Sequence, residues 1–409
     1  MRVTASTIAY DVDRVRALIP ALADGVAYFD GPGGTQTPAY VAEAIAGALT
    51  RGLSNRGEVT QAEQHANDLT WAARTAAADL LGAEPTGVIF GRSMTDLTFD
   101  IARTLAADWG PGDEVVVSRI DHDANVRPWI RYAEKTGATV RWAGFDRQTA
   151  ELRVEDVASQ LSDRTRVVAL TGASNLLGTR PDLKAIGEEV HRAGALFYVD
   201  GVHLTAHAPV DMHQFGADFY ACSPYKFLGP HLGMVAASPA LLQTLHPDKL
   251  RPSTEVVPER FELGTLPYEM LAGVTAAIDV LADLVPGDEA TLGRRERLIR
   301  SMSALEAYED GLHHALREGL ESVPGIRLYG HAPHRTPTEL FSIDGIDSEA
   351  IYRRLAAQGI NAPNGSFYAI EAAEWIGLGE AGAVRVGLAP YTSAQDVARL
   401  IASLHGIGD

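Results

Sequence analysis

The chain has 409 residues, 46% of them hydrophobic and 22% charged, a length at which two or three packed units are expected rather than one core. Its formal net charge of −18 excludes a nucleic-acid or anionic-membrane surface, and its single cysteine, Cys222, excludes a disulfide framework or a CxxC metal site within one chain. No run of 18 apolar residues and no secretory leader are present, so a cytoplasmic protein without a membrane partner is expected.

From about Ala39 to Leu245 helical stretches alternate with short apolar runs: GVIF (87–90), EVVVS (114–118), TVRWAGF (139–145), RVVALTGAS (166–174) and ALFYVDGVH (195–203). This alternation predicts a parallel sheet covered on both faces, with ligands bound beyond the strand C-termini. Helices are expected over Thr95 to Asp108 and Leu183 to Ala193, the latter ended by Gly194. The stretch Leu250 to Pro258 carries two prolines and no period, which predicts a loop over a site or interface. Beyond Arg260 come long helical segments (Pro267 to Leu284, then about Gly293 to Glu321) and apolar runs at Ile326 to Tyr329 and Glu339 to Ile343. Ala383 to Leu388 and Ser393 to Leu404 then read as strand, turn and helix. The expected division is a segment 1–38 packing with a small domain, a large domain 39–265, and a linking helix with a small α+β domain over 266–409.

One segment concentrates chemistry. An acidic residue, Asp200, ends an apolar strand, and Lys226 follows after a second strand-like run. In a pyridoxal-phosphate (PLP) enzyme the carboxylate would pair with the pyridine nitrogen. The lysine would form the Schiff base and move protons at the substrate α-carbon. Read alone, Asp200 is also a turn cap and Lys226 a solvated charge. Ser223 and Tyr225 before the lysine, and Gly229, Pro230 and Gly233 after it, supply hydroxyls and close backbone approach that a solvated lysine does not need.

With these residues in place the chain resembles the class V aminotransferase family, nearest its cysteine desulfurase branch, over almost its whole length. The resemblance implies an α/β PLP-dependent transferase fold of type I, with a mainly parallel seven-stranded sheet in the large domain and a small α+β domain. It also implies a homodimer with shared active sites and a small-molecule amino-acid substrate. The motif YFDGPGGTQTP (28–38) would place Gly33 on the substrate side of the cofactor. FGRSMTDL (90–97) would hold the phosphate through Ser93, Met94 and Thr95 at a helix N-terminus. His122 of IDHDANVRPW would stack on the pyridine ring, and Asn175 of SNLLG would lie near the ring hydroxyl and the substrate carboxylate. His203 stands where close relatives carry glutamine and would take the ring-hydroxyl contact. Ser223 and Tyr225 would donate to phosphate, Thr265 of FELGT would reach the phosphate of the neighbouring subunit, and Arg385 would grip the α-carboxylate.

The departures matter as much. A desulfurase presents a thiolate as nucleophile, yet the matching position in GINAPNGSFYAIEAAEWIG (359–377) is Tyr368, and Pro363 replaces an arginine. Cys222 is expected as a small buried hydrophobe. The expected function is therefore a PLP enzyme of C–S β-lyase type and not a true desulfurase, using Lys226, His122 and Asp200 as catalytic residues. Tyr368 would shape the pocket or protonate the leaving group. Amino transfer or epimerisation is the alternative, and a non-catalytic PLP-fold binding protein a remote one; no metal is expected.

Overall fold

Seven strands form the central sheet of the computed structural model, which describes residues 10–287, 291–379 and 381–407. Their spatial order is Val88–Gly91, Gly233–Ala237, Phe219–Cys222, Leu196–Asp200, Thr165–Thr171, Glu114–Ser118 and Thr139–Ala143. Six strands run in one direction, while Gly233–Ala237 runs against them and pairs antiparallel with both of its neighbours.

Side chains alternate between two apolar layers, as strand geometry dictates. Phe90, Val116, Val168, Phe197, Val199 and Tyr220 face one layer. Ile89, Val115, Val117, Ala169, Tyr198 and Ala221 face the other, where Trp129 is fully buried. Burial on both faces is why these strands read as continuous apolar runs. Only the edge strand Thr139–Ala143 alternates with exposed positions, at Thr139 and Arg141. Arg141 is held by Glu114 of the adjacent strand at 2.6 Å.

A second sheet of four antiparallel strands, Asn364–Gly365, Ala383–Gly387, Thr338–Ile343 and Ile326–Tyr329, is covered by the helices Ser348–Ala357 and Ala394–His405. The 28-residue helix Arg294–Glu321 contributes Leu316 and Leu320 to the core of this sheet. The chain's early strand Ala27–Tyr28 pairs with Ile360–Asn361, and Asp30 bridges to Gly387. Residues far apart in sequence, near 30 and near 385, thereby become neighbours. Among the described residues no helix is long and apolar enough to cross a membrane.

Two details differ from expectation. The helix expected over Thr95 to Asp108 spans Met94–Leu105 and ends in a 3₁₀ turn, Ala106–Asp108. The strand Gly233–Ala237 carried no recognisable signal, because glycine and alanine give it little strand propensity.

Candidate active site

The parallel strands deliver Ser118, Thr171 and Asp200 to one edge of the sheet. Against that edge lies a cavity of about 670 Å³, a size typical of small-molecule sites. Gly33, Ser93, Met94, Thr95, His122, Asn175, Asp200, His203, Ser223, Tyr225, Lys226, Tyr368 and Arg385 all line it. Thr265 does not; it is exposed at the start of the segment leading into the helix Tyr268–Ala282.

Lys226 sits in the 3₁₀ turn Pro224–Lys226 that follows the strand Phe219–Cys222. Burial, reinforced by the neighbouring Arg385 charge, lowers its ammonium to about 7, so the free amine is available near neutral pH. Its Nζ donates to the Pro32 carbonyl. Asp200 is buried at its strand end and is pushed up to about 6 by desolvation, against the pull of the Val202 amide and of Lys226. Among the described residues no arginine pairs with it, so a cationic group bound beside it would be favoured.

At another side of the cavity the helix Met94–Leu105 begins. The Ser93 hydroxyl caps it by accepting from the Asp96 amide at 3.1 Å, while the Met94 and Thr95 amides belong to a first turn that has no intrahelical acceptor. Gly233 lets the adjacent strand come this close, since a Cβ there would lie 2.2 Å from the Met94 nitrogen. An anion is favoured at such a helix start. The Tyr225 hydroxyl remains protonated because burial raises it, and its ring stacks on His231 with centroids 4.8 Å apart.

His122 is fixed from beneath. Its Nδ1 accepts from the Ala124 amide at 3.0 Å, and the loop is anchored by Asn125, which donates to Asp121 at 2.7 Å and accepts from Trp129 at 3.2 Å. Burial lowers His122 to about 4, leaving a neutral ring suited to stacking. Tyr368 lies against it, and the Tyr368 carbonyl accepts from the Asp123 amide at 2.7 Å. Phe367 and Tyr368 both take positive φ, 52° and 58°. Such consecutive left-handed residues are costly and mark a loop held by its surroundings. Trp375 supplies part of that hold: it donates to Phe145 O at 2.9 Å, and the guanidinium groups of Arg119 and Arg147 lie 4.7 and 4.2 Å from its ring centre.

Arg385, on the strand Ala383–Gly387, is buried with its guanidinium 3.7 Å from the Phe367 ring centre. It donates to Asp30 Oδ1 at 2.5 Å and to Asn175 O at 3.0 Å. The Asn175 amide donates to Phe367 O at 2.9 Å, and its Oδ1 is buried without a hydrogen-bond partner among the described residues. His203 is already engaged: its Nε2 lies 2.9 Å from Thr336 Oγ1 and 3.1 Å from Thr338 Oγ1. Any contact from it to a ring hydroxyl therefore falls to the other ring nitrogen. Asp30, Asp123, Arg127 and Phe367 also line the cavity and were missed in the sequence. Asp30 lies inside the motif YFDGPGGTQTP, where an acidic side chain among glycines has no pattern that separates a site residue from a turn residue.

An anion site at a helix start, a buried carboxylate, a desolvated lysine and a neutral stacking histidine around one cavity fit the phosphate, ring nitrogen, aldehyde and ring face of pyridoxal phosphate. Cys222 is fully buried in the strand before Lys226, outside the cavity, and burial drives its thiol pKa far up. The fold and site together define a PLP-dependent enzyme of fold type I. Comparison with known proteins gives the family: the aminotransferase class-V model matches residues 27–400, and the chain belongs to that family. It is 36% identical to an uncharacterized protein of Mycobacterium tuberculosis, over 98% of this chain and 100% of that one. It is 31% identical to an aminotransferase-like protein of Gibberella zeae, over 98% and 99%. Among solved structures it is similar to the cysteine desulfurase CsdA of Escherichia coli, with a TM-score of 0.85, 27% identity, and 97% and 98% of the two chains covered.

Proposed function

We propose that this protein is a PLP-dependent C–S β-lyase acting on an S-substituted cysteine and is not a cysteine desulfurase. The observation that carries the reading is the exchange of groups at the cavity. An exposed tyrosine, Tyr368, stands at its lining, while the chain's one thiol is walled into the sheet. Without an accessible thiolate no persulfide can form on the protein.

Bound pyridoxal phosphate supplies an electron sink for charge developing at the substrate α-carbon. The chain's residues do the rest. Asp200 would keep the ring nitrogen protonated, and the amides of Met94 and Thr95 with the hydroxyls of Ser223 and Tyr225 would hold the phosphate. Arg385 and Asn175 orient the α-carboxylate. Lys226, in surroundings that disfavour its ammonium form, would remove the α-proton. The Cβ–S bond then breaks, the thiol leaves with a proton from the Tyr368 hydroxyl, and water converts the released enamine to pyruvate and ammonia.

Amino transfer is the second reading, favoured by the aminotransferase-like relative; it would use the same lysine and no leaving group. Assaying thiol, pyruvate and keto-acid-dependent turnover on S-methyl-L-cysteine separates the two. Thiol and pyruvate in equal amounts support the lyase. Turnover that requires an added keto acid and releases no thiol supports transfer.

We also propose a cytoplasmic homodimer in which Thr265 completes the phosphate site of the second copy. Exposed Leu250, Val256 and Leu263, 65%, 64% and 56% accessible, precede Thr265 and offer apolar surface for that contact. The division at residues 38 and 265 is proposed on the same footing.

A further inference from the structure

We infer that Asp30 is a positioning residue that sets the orientation of Arg385 for the substrate carboxylate, a role that rests on the reading of Arg385 given above. A guanidinium has five N–H donors. Here one Nη donates to Asp30 Oδ1 at 2.5 Å and the other to the Asn175 carbonyl at 3.0 Å, while Nε is buried with no partner among the described residues. Three N–H donors are thus left over. The ring of Phe367, 3.7 Å away, covers one face, so the guanidinium plane is fixed. A lone arginine in this cavity would be a desolvated charge repelling Lys226; the Asp30 carboxylate offsets it.

The backbone explains why Asp30 can do this. The bridge of Asp30 to Gly387, with the Gly387 amide donating to Phe29 O at 2.8 Å, places residue 30 beside the arginine strand. The Gly33 and Gly34 amides both donate to Asp30 O, at 2.9 and 3.0 Å, closing a tight turn. A Cβ on Gly33 would lie 2.2 to 2.5 Å from the Asp30 carboxylate atoms. Gly33 therefore keeps clear the space the carboxylate occupies. The same turn carries Pro32, whose carbonyl receives the Lys226 amine, so one turn ties the carboxylate clamp to the reactive lysine.

The test uses the PLP-loaded protein and two probes, L-alanine and ethylamine, which differ only in that ethylamine has hydrogen in place of the α-carboxylate. Their dissociation constants are read from the change in cofactor absorbance. Because hydrogen bonds to charged groups are among the stronger ones, Asp30→Asn is expected to weaken L-alanine by about tenfold or more and leave ethylamine within about twofold. Gly33→Ala, which keeps the charge but displaces it, should do the same. Unchanged L-alanine affinity in both variants, or equal loss for both probes, overturns the role of Asp30. Arg385→Leu is the control for the underlying reading. If it leaves the ratio of the two probes unchanged, Arg385 is not the clamp, whatever the Asp30 variants show.

Discussion

Tyr368 stacks on His122, ring centroids 5.5 Å apart and planes inclined by 29°. The histidine is neutral and half-buried, and the tyrosine is 76% exposed yet lines the cavity. The pair joins the expected cofactor face to the mouth of the site. If the Tyr368 hydroxyl protonates the leaving sulfur, Tyr368→Phe keeps the stack and loses the proton. It should lower kcat for S-methyl-L-cysteine by about 100-fold, the lower range for general acid catalysis, with little change in KM. Steady-state kinetics of the variant decide this; an unchanged kcat would leave Tyr368 a wall residue.

Lys226 has a sharp pH consequence. Burial and Arg385 bring its ammonium to about 7, so in cofactor-free protein the amine is protonated below that value and neutral above it. The rate of cofactor capture, followed by absorbance after mixing with pyridoxal phosphate, should rise with pH through about 7 and level off. A rise centred near the ordinary lysine value would contradict the desolvated environment. Lys226→Ala should abolish capture and turnover together.

Burial of the Asp200 carboxylate costs stability. Its carboxyl ionises near 3.8 when unfolded and about 6 when folded, because burial disfavours the charge. Folded protein thus loses stability as pH rises through this window, and above it the cost is on the order of 3 kcal/mol. Asp200→Asn should therefore raise the urea midpoint of cofactor-free protein at pH 8 while removing activity. A lowered midpoint would mean the carboxylate has a stabilising partner after all.

Cys222 provides the sharpest contrast with a desulfurase. Fully buried and outside the cavity lining, it is a packing group. Cys222→Ala should cost about 1 kcal/mol in unfolding free energy, from the lost sulfur contacts, and leave kcat near its original value. Loss of turnover with folding intact would return the thiol to the chemistry.

Much of this was legible in the chain. The apolar runs at 114–118 and 166–171 marked strands because both their faces are buried, and the spacing from Asp200 to Lys226 marked the lysine turn. Sequence patterns could not show that Gly233–Ala237 enters the sheet antiparallel, since its small residues have no distinctive periodicity. Nor could they show the left-handed pair Phe367 and Tyr368, where no glycine signals positive φ and tertiary contacts impose it. The ion pair of Asp30 with Arg385 spans 355 positions and exists only because two distant strands meet.

The most direct test of the central claim is product analysis with PLP-loaded protein and S-methyl-L-cysteine. Methanethiol, pyruvate and ammonia are expected in equal amounts without an added keto acid, and none of them from Lys226→Ala. Amino transfer to a keto acid with no thiol released, or sulfur retained on the protein as persulfide from L-cysteine, would contradict it.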